Sequence, residues 1–167
     1  MRKMTEGNAK DAFAGESQAH MKYLNFAEKA AKEGKGNVAR LFQAASFSEQ
    51  RHASQHLKAL AGIGKTSENL AAAIAGESFE VHEMYPAYMA VAKEQGEKDA
   101  GESFDHAYQA EQAHLKLYQR AKKAVDAGKD LRIGEIWVCG CCGYTMEGKA
   151  PDKCPVCGTP KRLFVQF

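Results

Sequence analysis

The chain has 167 residues, 44% of them hydrophobic, enough for one sizeable helical core and a small appendage but not for two ordinary domains. Its 23 basic and 21 acidic residues leave a net charge of +2, with neither the basic face of a nucleic-acid binder nor the acidic bias of a disordered tail. The longest apolar run, residues 70–75, falls far short of the roughly 20 residues that span a bilayer, and residues 1–16 hold no signal-like apolar core.

A soluble, cytoplasmic chain with no nucleic-acid or membrane partner is therefore expected. In chain order, four helical runs read as Thr5 to Glu33, Asn37 to Ala61, Ser67 to Gln95 and Lys98 to Ala127. They are rich in Ala, Glu, Lys, Gln and Leu, the strongest helix formers, and contain only one proline, Pro86. Glycines 34, 36, 62, 64, 96 and 128 stand where helix C-caps are expected. Beyond residue 130 the composition changes. Pro151, Pro155 and Pro160 crowd together, and β-branched or aromatic residues appear in Ile136, Trp137, Val138 and Phe164. The expected fold is mainly α: a four-helix bundle over residues 1–130, then a small metal unit over residues 131–167.

The helical part repeats itself. Ala14-Gly15-Glu16-Ser17 recurs as Ala75-Gly76-Glu77-Ser78, and Glu49-Gln50-Arg51-His52 recurs as Glu111-Gln112-Ala113-His114, at offsets of 61 and 62. Residues three apart share a helix face, so Glu49 with His52, and Glu111 with His114, each aim a carboxylate and an imidazole at one point. One isolated Glu-x-x-His is usually a solvated surface pair. Two copies, each accompanied by a Glu from the partner helix (Glu16, Glu77), make the ligand pattern of a di-iron carboxylate bundle. Apolar neighbours such as Phe13, Met21, Phe79 and Met84 put these acids on largely apolar faces, where burial is expected and a divalent metal offsets its cost. Mixed carboxylate and imidazole ligands suit iron or manganese.

Glu80 stands where the first repeat has Ala19, adding a carboxylate one turn from Glu77 that could make the two metals unequal; Glu83, further along, reads as an exposed edge. His20 and His56 read as packing residues beside the site, and His82 and His106 as surface residues. Tyr23 and Tyr85 read first as core aromatics, and second as hydrogen-bond partners of the ligand carboxylates.

All five cysteines fall between Cys139 and Cys157, which favours metal over disulfides. Cys139 with Cys142 and Cys154 with Cys157 form two Cys-x-x-Cys pairs, a tetrahedral Cys₄ signal that iron and structural zinc satisfy equally. Cys141, between the first two ligands, reads as a loop residue.

Cys139 to Tyr144 and Cys154 to Gly158 resemble the two knuckles of rubredoxin. Joined to a helical half bearing Ala14-Gly-Glu-Ser, Gly76-Glu77 through Met84-Tyr85-Pro86 and both Glu-x-x-His pairs, they make the whole chain resemble rubrerythrin. The resemblance implies a ferritin-like bundle in which Glu16, Glu49, His52, Glu77, Glu80, Glu111 and His114 hold two iron ions. It also implies a rubredoxin-like unit in which Cys139, Cys142, Cys154 and Cys157 hold one more, with zinc an alternative occupant in a recombinant sample. Glu80 and His52 are then the ligands that exchange as the oxidation state changes.

The implied activity is reduction of hydrogen peroxide to water, in oxidative-stress protection, with electrons relayed through the Cys₄ iron. No dinucleotide fingerprint is present, so reducing equivalents from a nicotinamide cofactor come through a separate protein, a flavoprotein reductase or a rubredoxin. A ferroxidase with the same ligands, or a non-catalytic adaptor with a zinc ribbon, are the rival readings. Assembly follows from helix arithmetic. In the ferritin-like topology helices two and three run parallel, so the connection must return about 35 Å, while Gly62 to Ser67 spans about 18 Å fully extended. Either the bundle runs simply up and down, or two chains exchange helix pairs in a domain-swapped homodimer; the swap is the expectation.

Overall fold

The computed structural model describes all of residues 1–167, which divide into two compact units, residues 1–64 and 65–167. The first unit is a hairpin of two long helices, α1 (Lys3–Lys32) and α2 (Gly36–Ala59). Its buried residues are small: Ala27, Ala30, Ala39, Ser46 and Ala53. Small side chains at the contact let the helix backbones come close. Ser46 sits at that contact, its hydroxyl donating to the His20 carbonyl at 2.9 Å, with His20 Nδ1 2.9 Å from the Ser46 carbonyl. His20 thus helps tie α1 to α2. At the far end, Ala61 rather than a glycine takes the left-handed conformation (φ 53°), and Gly62 N–H closes on the Leu57 carbonyl. The expected glycine caps do occur at Gly34, Gly96 and Gly128, all with positive φ.

The second unit opens with α3 (Thr66–Phe79), where Glu68 accepts the Lys65 backbone N–H at 2.6 Å. A five-residue π turn (Glu80–Met84) and α4 (Tyr85–Gln95) follow without a break, and α5 (Lys98–Asp126) packs back along all three. The third expected helix is therefore one rod with a wide turn in it. Pro86 supplies a reason: within an α-helix its ring would meet the His82 carbonyl, and it has no N–H to donate. The wide turn just before it, closed by Tyr85 N–H on the Glu80 carbonyl, relaxes both demands.

The repeat is visible in aromatic clusters. Tyr23, Phe26 and Phe42 pack in the first unit, and Tyr85, Tyr88 and Phe104 in the second, each trio with one ring pair at 5.5 Å. All three correspondences have an offset of 62, whereas Glu16 to Glu77 has 61. The extra residue falls between Glu77 and Tyr85, where the π turn lies; a π turn is a one-residue insertion in an α-helix.

Residues 136–166 form an antiparallel sheet in the order β2-β1-β3, with β1 (Ile136–Cys139), β2 (Thr145–Glu147) and β3 (Phe164–Gln166). The sheet's core consists of Cys139, Ala150, Cys154 and Phe164, with Cys142, Cys157, Trp137, Tyr144, Met146 and Val156 packed on it. Four of these ten are the clustered cysteines, so apolar burial alone is a thin support. Gly140 is required: a Cβ there would lie 2.5 Å from the Leu163 carbonyl oxygen that its own N–H meets. No helix is long and apolar enough to cross a membrane.

Candidate metal centres

Three clusters of metal-ligating side chains form. In the first unit, Glu16 from α1 meets Glu49 and His52 from α2; in the second, Glu77 from α3 meets Glu111 and His114 from α5. Within each trio the ligand atoms lie within 4.8 Å of one another. The i,i+3 pairs close as their spacing predicts: His52 Nδ1 is 3.0 Å from Glu49 Oε2, and His114 Nδ1 is 2.6 Å from Glu111 Oε2.

The acids crowd without enough counter-charge. Burial first, then the hydrogen bond and charge of Glu111 and the charge of Glu80, push Glu77 up to about 8. Glu77 Oε2 is buried with no hydrogen-bond partner, an orphan acceptor of the kind a cation satisfies. In the first unit the Glu49 carboxylate beside it raises Glu16, while Glu16 and then His52 lower Glu49. Both trios therefore fit divalent metal. The second is the more enclosed: His114 is 28% exposed and His52 49%.

Glu80, at the start of the π turn, stands outside the Glu77, Glu111 and His114 trio, yet burial and the charge of Glu111 raise it. Glu83 is exposed. Tyr85 is raised by burial and then by Glu80, Glu111 and Glu77, which places its hydroxyl in the field of the acidic cluster. Tyr23 packs with Phe26 and Phe42 in the aromatic trio. His56 is near enough to Glu16 to lower it. His82 is exposed and bound to the Ser78 carbonyl, but His106, expected at the surface, is half-buried beside Glu102. Tyr118 is an addition: burial, then Glu77 and Glu111, raise it, and its ring lies 6.4 Å from that of His114. Its signal in the sequence was its place four residues after His114.

The third cluster is Cys139, Cys142, Cys154 and Cys157, all free thiols. Cys139 and Cys157 sulfurs are 3.6 Å apart, as are those of Cys142 and Cys154. A tetrahedron with metal–sulfur bonds of about 2.3 Å has edges of about 3.8 Å, whereas a disulfide would be about 2.05 Å. Burial pushes Cys142 and Cys154 up, against backbone N–H groups of Tyr144 on the one and of Cys157 and Val156 on the other. Cys157 is the exception: burial opposes its ionisation, but hydrogen bonds with Thr159 and the neighbouring thiols outweigh it and hold it at about 6. Cys141 is exposed and outside the cluster.

The proton on Glu77 gives a measurable consequence. A carboxyl raised from 4.5 to about 8 binds its proton more tightly folded than unfolded, so its contribution is complete below pH 4.5 and lost as pH rises through 8. Metal-free protein should lose about 2 kcal/mol, roughly 4–8 °C in midpoint, between pH 5 and 8, discounting for the hydrogen bond between Glu77 and Glu111. Glu6, Asp126 and Glu147 are held below the ordinary carboxylate range by Lys10, Lys122 and Gly134 N–H respectively, and do not titrate in that window. Metal-free Glu77→Gln should remove most of the loss, leaving the smaller part that the raised Glu16 and Glu80 carry. Melting curves that are flat for wild type, or that fall equally for the variant, would refute it.

Comparison with known proteins agrees with this geometry. Residues 8–122 match the family model for rubrerythrin, and residues 137–165 match that for the rubrerythrin rubredoxin-like domain. The chain is 38% identical to rubrerythrin-2 of Clostridium acetobutylicum, covering 98% of this chain and 97% of that one. It is 37% identical to a rubrerythrin of Porphyromonas gingivalis, covering 96% and 88%. Among solved structures, a mixed-valence state of nigerythrin is similar at a TM-score of 0.53 and 33% identity, over 98% of this chain and 86% of that one.

Proposed function

The chain belongs to the rubrerythrin family, and on that premise we propose that it is a non-haem di-iron peroxidase reducing hydrogen peroxide to water, in cytoplasmic oxidative-stress protection. The family's two metal centres, a di-iron site and a rubredoxin-like Cys₄ site, have their ligand groups here. In this reading residues 1–130 make the ferritin-like domain and residues 131–167 the electron relay. The observation that carries it is the pairing, in one chain, of two Glu plus Glu-x-x-His trios with a free Cys₄ tetrahedron.

Glu16, Glu49, His52, Glu77, Glu80, Glu111 and His114 are the di-iron ligands proposed, and Cys139, Cys142, Cys154 and Cys157 the ligands of the third iron. When bound, the iron supplies two electrons to the O–O bond, H₂O₂ + 2 H⁺ + 2 e⁻ giving two waters, replaced singly through the Cys₄ iron. The residues supply the setting. Glu16, Glu49, Glu77 and Glu111 would supply four negative charges to offset a pair of dications, with the unpartnered Glu77 Oε2 available as a ligand atom. Glu80 and His52 are the exchanging ligands proposed: Glu80 begins the wide turn and stands outside the trio, and the His52 side chain is half exposed. Tyr85 and Tyr23 are the hydrogen-bond donors proposed for ligand carboxylates. The electron donor is a separate protein, a rubredoxin or a flavoprotein reductase. Since each unit holds one trio, the proposed assembly is a homodimer with exchanged helix pairs.

The test is direct. Anaerobically reduced protein should be reoxidised by stoichiometric peroxide much faster than by air, as followed by the diferric absorbance. Equal rates, or air faster than peroxide, would favour a ferroxidase and remove the peroxidase reading.

A further inference from the structure

Thr145 opens β2, three residues after the ligand Cys142, and is buried at 8% exposure. Its hydroxyl oxygen lies 3.0 Å from the Gly143 carbonyl and 2.8 Å from His114 Nε2 on α5. A carbonyl can only accept, so the hydroxyl proton belongs to the Gly143 bond, and the remaining role of Oγ1 is to accept. The proton between Thr145 and His114 is then carried by Nε2. That leaves Nδ1 as the nitrogen facing the acids, 2.6 Å from Glu111 Oε2 and 3.9 Å from Glu77 Oε1. A histidine that ligates metal through one nitrogen commonly donates the other N–H to an outer partner, which fixes ring and tautomer.

We infer that Thr145 is a positioning residue for His114, holding the imidazole with Nε2–H toward the Cys₄ knuckle and Nδ1 toward the metal. The inference rests on the reading of His114 as a ligand. Two features make Thr145 suited to it. Its β-branched side chain is stiff at χ1, and β2 is tied to α5 again two residues on, where Glu147 accepts from Arg120 at 2.6 Å and from Gly134 N–H at 2.9 Å. His52 has no such support: its Nε2 is 3.5 Å from Ser48 Oγ on its own helix. The strand that follows the first Cys₄ knuckle thus orients a histidine of the carboxylate cluster, and only one of the two histidines is held.

The full chain loaded with zinc in every site provides a diamagnetic test. Long-range ¹H–¹⁵N spectra should show His114 with Nδ1 bound to metal and a slowly exchanging proton on Nε2. In Thr145→Val that proton should exchange at least about tenfold faster, and zinc at the His114 site should bind about 10- to 100-fold more weakly. Thr145→Ser should restore both, while His52 and the Cys₄ amide signals stay unchanged. If Thr145→Val disturbs the Cys₄ signals, the wild-type spectrum decides: a His114 proton on Nδ1, or fast exchange at Nε2, overturns the inference. Wild-type behaviour of a well-folded Thr145→Val also overturns it, with ligation by His114 intact. A wild-type His114 with no metal-bound nitrogen would instead defeat the ligand assignment, and the inference with it.

Discussion

Cys142→Ser should reduce steady-state peroxidase activity from an external donor to background, while leaving iron in the carboxylate site and a single turnover of prereduced protein with peroxide. The reason lies in how residues 136–166 are held. Cys139 and Cys154 are half of the four-residue buried core, with Cys142 and Cys157 packed against them. A structural metal in so small a unit contributes roughly 10–16 kcal/mol of binding free energy, most of the stability such a unit has. Removing one thiolate therefore costs both the relay and the packing around it, and amide protection at Cys139 should fall with it. The carboxylate trios share no ligand with the Cys₄ site, so iron analysis at saturating iron should give two of three ions, the His114 site binding more weakly where the hold of Thr145 is loosened. Undiminished donor-driven turnover without the third ion would contradict the relay. Loss of all three ions would show that the sites are not independent.

Much of this was legible in the sequence because helix chemistry is local. The Glu-x-x-His pairs closed as the 3.6-residue period requires, and the Cys-x-x-Cys pairs converged as their spacing predicts. The π turn was present only as a trace: the repeat shifts from 61 to 62 between the Glu16 and Glu49 copies. Aligning Ala19 with Glu80 assumed a constant offset, and the aromatic trios show that it changes before Tyr85. The end of α2 misled in the other direction. Gly62 looks like the left-handed cap, but the left-handed residue is Ala61, and a Cβ at Gly62 would lie 2.5 Å from a Leu57 methyl, which would have to move aside. Thr145 could not have been found from sequence. Its partner His114 is 31 residues away and on another kind of element, and nothing local to Met146 or Tyr144 announces a histidine across the fold.

Subunits carrying Glu49→Ala and subunits carrying Glu111→Ala, each inactive alone, should recover activity when unfolded and refolded together. The expectation comes from the connection between α2 and α3. Glu49 lies ten residues before the end of α2 and Glu77 eleven after the start of α3, about 15 and 16 Å of helix. In a ferritin-like bundle those two helices are parallel and their ligands level, so one chain would have to travel back about 32 Å between Ala59 and Thr66. Seven Cα steps reach at most about 24 Å. In that topology the span is too long to close within one chain, whereas α1 and α2 of one subunit can meet α3 to α5 of another without any such return; a simple up-and-down order is the alternative that the mixing experiment tests. Surface chemistry points the same way: Leu41 and Phe47 on α2 are 69% and 64% exposed, and Phe79 on α3 is 52% exposed, large apolar groups suited to a partner. Each proposed site would take Glu16, Glu49 and His52 from one chain and Glu77, Glu80, Glu111 and His114 from the other. A mixed dimer then gathers both lesions in one site and leaves the second whole, so random pairing restores roughly a quarter of all sites. In an unswapped protein every site keeps one lesion. Mixed dimers that form, as shown by mass, yet bind iron and turn over no better than either parent would rule the exchange out.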